Sequence, residues 1–190
     1  MNINRQMAQP THRSPQSAVA PHDTLHLVDV ENICGCALPD QGTVADALES
    51  YRNVMAFRSN DHAVLGASPL GAFYAKKAWS GVQVVQRRGR DGADLALLAA
   101  CDVVFIAARY RRVVVASGDH IFAPLVRELI ASGVRVVVAA RSGSIAWALR
   151  LEGPEIRHLP DQSSPLAACD VSHAAWINEG QVLSTDRKAS

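Results

Sequence analysis

The chain has 190 residues, 48% of them hydrophobic and 19% charged, with a formal net charge of +1 at neutral pH. That length suits one domain with a sizeable core, and the balanced charge gives no global pull towards nucleic acid or a membrane surface. No apolar run reaches the roughly 18 residues of a membrane span, and the N-terminus lacks a signal-peptide core, so a soluble cytoplasmic protein with no membrane partner is expected.

Sixteen of the nineteen basic residues are arginine, so local basic patches remain open. The cysteines Cys34, Cys36, Cys101 and Cys169 follow no zinc or disulfide framework. Cys34 and Cys36 miss the Cys-x-x-Cys redox spacing, and inert, reduced thiols are expected.

Residues 1–23 are polar, contain Pro10, Pro15 and Pro21, and show no periodicity; they read as a disordered tail. The domain proper is expected over 24–160. It opens on Leu25-His26-Leu27-Val28-Asp29, an apolar run ending in an acid, as a buried parallel strand ends in its loop. A loop over 33–40 and a short helix over 43–51 follow, then a second strand over 53–58 and a mostly helical or irregular stretch over 61–78 broken by Pro69 and Gly71. A third strand is expected over 82–86, then a charged loop, then one largely buried helix over 93–108 with Asp94 in its first turn. A fourth strand over 112–116 runs into Ser117-Gly118-Asp119. A helix over 122–132 is closed by Gly133, and a fifth strand over 134–140, a helix over 145–151 and a short edge strand over 154–159 complete the domain. Residues 161–190 form a polar C-terminal tail in which 166–177, with Trp176, suits a docking helix. Strands alternating with helices at this spacing imply an α/β fold with a mostly parallel sheet covered on both faces.

In open α/β sheets ligands bind beyond the carboxyl ends of the strands. Asp29 and Asp119 each follow an apolar strand directly, and Asp94 opens the helix after the third, so the three acids converge at one end of the sheet. Like charges that close penalise one another unless a cation lies between them. Carboxylates, an amide and water suit magnesium or manganese better than zinc, and a metal held by acids can activate water against a phosphodiester. Asn32 suits fixing a carboxylate, ligating through water or holding a phosphate.

The set Asp29-Val30-Glu31-Asn32, Gly92-Ala93-Asp94 and Ser117-Gly118-Asp119, followed by Phe122 and Pro124-Leu125-Val126, resembles the NYN domain of the PIN-like ribonuclease superfamily over roughly residues 24–160. The resemblance implies a three-layer α/β/α sandwich and cleavage of RNA, single-stranded by expectation, with Mg2+ or Mn2+. It matches Asp29, Asp94 and Asp119 to the family's metal-binding and catalytic acids and Asn32 to its amide, and a homodimer is compatible with it. One departure matters. Ile121 stands where the family commonly carries a second acid after Ser-Gly-Asp, which weakens the metal site; Asp91 is a candidate to compensate.

Arg88 and Arg90, with Arg87, precede Asp94, and Arg141 follows the fifth strand, so all four are candidate phosphate contacts. Arg58, at the end of the expected second strand, is a candidate to join them, whereas Arg109, Arg111 and Arg112 fall at the opposite end of the sheet. Simpler roles compete at each position. An Asp after a strand commonly forms a turn or caps a helix, Asn32 suits an Asx turn, Ser117 suits a helix cap as well as a substrate contact, Asp102 suits a structural pairing, and His120 is a weak candidate base. A haloacid-dehalogenase-type phosphatase needs a lysine that is absent between Ser117 and Lys188, and no Gly-x-Gly-x-x-Gly follows the first strand as a dinucleotide site would require. The competing class is a degenerate NYN domain that binds RNA or a partner protein without cutting.

Overall fold

The computed structural model describes residues 22–161. The expected N-terminal tail, the C-terminal tail and the docking helix over 166–177 lie outside the described residues, apart from the few tail residues nearest the domain. The described chain forms one six-stranded sheet, all parallel, in the order β3-β2-β1-β4-β5-β6. Its strands are β1 (His22–Asp29), β2 (His62–Ala67), β3 (Gln83–Gln86), β4 (Tyr110–Ala116), β5 (Arg135–Arg141) and β6 (Glu155–Leu159).

Alternation along the strands builds two cores. Leu25, Leu27, Val113, Val115, Val136 and Val138 face α4 (Gly92–Ala99), α5 (Val103–Arg109), α6 (Ala123–Ala131) and α7 (Trp147–Leu151). Val28, Val114, Ala116, Val137 and Ala139 face α1 (Val30–Cys34), α2 (Gln41–Val54) and α3 (Pro69–Ala78). Two apolar faces need two covering layers, and the result is the expected three-layer α/β/α sandwich. No helix among the described residues is long and apolar enough to cross a membrane.

Three local expectations are corrected. The second strand does not lie over 53–58, because α2 runs on to Val54. Val44, Ala47, Leu48, Tyr51 and Met55 are all buried at helical spacing, so the helix keeps residues that look like the start of a strand. The strand is instead His62–Ala67, within the stretch expected to be helical or irregular. The single helix over 93–108 is two helices. Asp102 caps the second by accepting a hydrogen bond from Phe105 N at 3.0 Å, and Val104 and Phe105 are 81% and 58% exposed rather than buried. The thiols are not uniform either: Cys34 and Cys101 are free, whereas Cys36 is disulfide-bonded.

Candidate active site

The strand order reverses between β1 and β4, since β2 and β3 extend the sheet on one side and β5 and β6 on the other. Such a reversal opens a crevice at the carboxyl ends of the two central strands. Asp29, the last residue of β1, sits there, and the alternation that turns Leu25 and Leu27 towards α4 turns Asp29 the same way. Asp94, in the first turn of α4, meets it.

Asp29 is 4% exposed and held from two sides. Its Oδ1 accepts from Asn32 N at 3.2 Å, which makes it the N-cap of α1. Its Oδ2 accepts from Ser117 Oγ at 3.2 Å. Burial first, and the neighbouring Asp94 second, push the Asp29 carboxyl up to about 8. Asp94, also buried, is raised as well, by desolvation and by Asp119, Asp91 and Glu31, against a hydrogen bond with Asp29 that opposes the rise. Asp94 Oδ1 is buried with no hydrogen-bond partner.

Around the pair lies a cavity of about 530 Å³, lined by Asp29, Asp94 and Asn32, by Arg87, Arg90 and Arg141, and by Glu31 and Asp91. Arg141 packs its guanidinium on Gly35, a left-handed residue (φ +69°) where a Cβ would collide with it. The glycine is therefore what lets the arginine lie flat against the loop after β1.

Not every expected residue reaches this cavity. Asp119 is half-buried beside it, close enough to act on Asp94, and it caps the 3₁₀ turn His120–Phe122 by accepting from Ile121 N at 3.0 Å. Ser117 is 1% exposed and caps no helix; it donates to Asp29 and accepts from Asp119 N at 3.2 Å, so it orients an acid rather than touching a ligand. Asn32 makes no Asx turn. Its Oδ1 accepts from Gly118 N at 3.1 Å and ties the loop after β1 to the loop after β4. Arg88 is exposed and outside the lining, and Arg58 is corrected outright: it borders a separate cavity at the amino end of the sheet with Thr24, His26, Asp61 and Arg112. His120 is exposed, its Nδ1 2.8 Å from Asp119 Oδ1. Ile121 packs against the core, and Asp91 lines the cavity from the left-handed residue that starts α4.

Glu31 is the residue that sequence reasoning missed. Its Oε1 accepts from Ser68 N at 2.8 Å, and its Oε2 is buried without a partner. The one available signal was its position between Asp29 and Asn32, where α1 turns it towards the start of α3.

Among the described residues no three His, Cys, Asp or Glu side chains converge as a ready-made metal cage. The residues nonetheless fit a hard cation of another kind. Magnesium is commonly held by one or two carboxylates with water completing its shell, and Asp29 with the unpartnered Asp94 Oδ1 offers two oxygen ligands whose mutual repulsion a cation would relieve.

Compared with known proteins, the chain matches the family model of the NYN domain over residues 25–158. None of the curated proteins matches. Among solved structures, the crystal structure of a protein of unknown function from Vibrio parahaemolyticus is similar at 21% identity, covering 77% of this chain and 98% of that one with a TM-score of 0.49.

Proposed function

From the premise that the chain belongs to the NYN domain family, which the match over residues 25–158 shows, we propose that it is a metal-dependent ribonuclease acting on single-stranded RNA in the cytoplasm. The observation that carries the reading is the pair Asp29 and Asp94, two carboxyls buried together at the crevice between β1 and β4 with one oxygen unpartnered. Two acids forced together out of water cost stability, and a fold that keeps them invites a function for the pair.

Asp29 and Asp94 are the residues proposed to hold Mg2+ or Mn2+. The chemistry such an ion supplies when bound is activation of water and stabilisation of the leaving oxygen of a phosphodiester. Ser117 and Asn32 N fix the two oxygens of Asp29, so the carboxylate is oriented before anything binds. Asn32 holds the loops after β1 and β4 at one spacing. Arg87, Arg90 and Arg141 give the acidic cavity a basic wall that can grip phosphates on either side of the scissile bond. Asp119 acts from beside the cavity by raising the charge density around Asp94. A homodimer has no supporting observation and is not part of the proposal.

A second reading has its own observation. Ile121 packs against the core where the family commonly has an acid, and among the described residues no three-acid cage stands ready, which favours a domain that binds RNA or a partner protein without cutting. Cleavage of single-stranded RNA in Mg2+ or Mn2+, beside EDTA and beside Asp29→Asn, separates the two. Cutting that needs both the metal and Asp29 supports the nuclease; binding that survives Asp29→Asn without cutting by either protein supports the binding module.

A further inference from the structure

The outer face of α3 carries a feature that the chemistry above does not use. α3 buries Gly71, Ala72 and Ala75 against the sheet, yet presents Leu70 and Phe73 to solvent at 49% and 57% exposure. Leu70, Phe73 and Lys77 are spaced three and four residues apart, so they form one stripe along the helix. Lys77 Nζ lies 5.1 Å from the Phe73 ring centroid and donates to Gln41 Oε1 at 3.1 Å, which holds the cation over the aromatic face. The Tyr74 ring packs beside Phe73 at 5.8 Å.

The stripe begins at the rim of the acidic cavity. Ser68, the N-cap of α3, lines that cavity. Its backbone N–H donates to Glu31, and Gly71 sits so close to Glu31 Oε1 that a Cβ there would come within 2.7 Å. The first turn of α3 is thus locked to the same loop that carries Asp29. At 1.5 Å per residue, Phe73 stands about 7 Å along the axis from Ser68, roughly two nucleotides of a stacked strand at about 3.4 Å each.

We propose that Leu70, Phe73 and Lys77 form a stacking platform for single-stranded RNA, on which a base near the scissile phosphate lies against Phe73 while Lys77 meets the backbone. The proposal rests on the ribonuclease reading and names the track its substrate follows out of the cavity. An exposed aromatic with an adjacent cation is the usual sequence-tolerant device for single strands, and each stacked base lost to alanine weakens binding about 5- to 150-fold. A negatively charged strand also suits the cations set among the acids of this rim, Arg87, Arg90 and Arg141 around the cavity and Lys77 on the helix.

The test uses the full chain carrying Asp29→Asn, so that RNA can bind without being consumed. Fluorescence anisotropy measures its affinity for a short oligouridylate and for an abasic strand of the same length, with and without Phe73→Ala and Phe73→Trp. The expected result is a loss of about 5- to 150-fold on oligouridylate for Phe73→Ala, none on the abasic strand, and recovery in Phe73→Trp. Equal oligouridylate affinity with and without Phe73→Ala overturns the platform while leaving the nuclease reading standing, and so does an equal loss on both strands. A protein that binds neither strand, with no metal-dependent cutting by the chain that retains Asp29, removes the ribonuclease reading and the platform together. A concentration-dependent dimer that Phe73→Ala abolishes, at unchanged RNA affinity, assigns the stripe to a second copy of the chain and also overturns it.

Discussion

The two ends of β1 bury polar groups in opposite ways. At the carboxyl end Asp29 faces Asp94, two carboxyls that burial and neighbouring acids push towards the protonated form. Three residues earlier, and on the other face of the strand, His26 is 1% exposed and sits in a complementary set. Its Nδ1 is 2.7 Å from Tyr51 Oη, its Nε2 is 3.7 Å from Asp61 Oδ2, its ring meets Phe57 edge-on at 5.0 Å, and Arg112 lines the same small cavity. Burial, opposed by Asp61 and reinforced by Arg112, pushes the His26 imidazole down to about 4. Both ends keep buried polar atoms without a hydrogen-bond partner, His26 Nε2, Asp61 Oδ1 and Arg112 Nε at one and Asp94 Oδ1 and Glu31 Oε2 at the other, but the first sets groups of unlike character together and the second sets like carboxyls together. That difference separates a structural cluster from a candidate site more sharply than burial does, since both ends are buried.

The largest expected effect is on catalysis. Asp29→Asn should lower metal-dependent cleavage on the order of 1000-fold, because a metal contribution of several kcal/mol depends on that ligand. The same change should raise folding stability at pH 8 in metal-free buffer, measured by urea denaturation. Activity lost with stability unchanged or lowered would erase the contrast between the two ends. At the amino end the opposite is expected: His26→Ala should cost about 3 kcal/mol through a cavity and through stranded partners on Tyr51 and Asp61, while cleavage per folded molecule is unchanged.

The pH dependence sharpens the comparison, because the signs oppose. Asp29 is raised from 3.8 to about 8, so in metal-free buffer its share of stability is complete below pH 4 and is lost as pH rises to 8, at about 1.4 kcal/mol per pH unit for one retained proton. His26 is lowered from 6.5 to about 4, so its share is complete above pH 6.5 and is lost as pH falls to 4. Between pH 4 and 6.5 the two slopes oppose one another, and above 6.5 only the loss from Asp29 remains. Asp29→Asn should therefore leave a curve that falls less with pH above 6.5 than that of the unaltered chain, keeping only the share of the raised Asp94, which urea titrations across that range will show. Mn2+ should raise the melting temperature of the unaltered chain more at pH 8 than at pH 5, where protons compete for the same oxygens, and should do nothing for Asp29→Asn. The smallest effect belongs to Gly35→Ala, which should cost about 1–2 kcal/mol for a left-handed alanine and weaken RNA binding by displacing Arg141.

Much of the carboxyl end was legible in the sequence, because it depends on short-range rules. An apolar run that stops at an acid places that acid where a strand stops, and Asp29, Asn32 and Asp94 are found at or in the crevice on that argument. What the sequence hid depends on contacts between distant segments. Ser117 reads as a cap until the fold buries it under Asp29, 88 residues away. His26 looks like one more strand residue until α2 brings Tyr51 to it. β2 was misplaced because Gly66 dilutes its strand signal, and that glycine is there because a Cβ would run into Leu97 of α4, a neighbour no local pattern reveals. Glu31 was passed over for a related reason, since its partner Ser68 lies 37 residues on.

The break between α4 and α5 has a consequence of its own. Everything before it builds β1, β2 and β3, and everything after it builds β4, β5 and β6, with β1 and β4 paired along the seam. A chain divided at residues 100–102 would place both buried carboxylates, Asp29 and Asp94, on one fragment and Ser117, Gly118 and Arg141 on the other. Neither piece holds a complete centre, so any recovered cutting would report the reunion of the two, which makes this short interruption a natural place to build a split reporter from the fold.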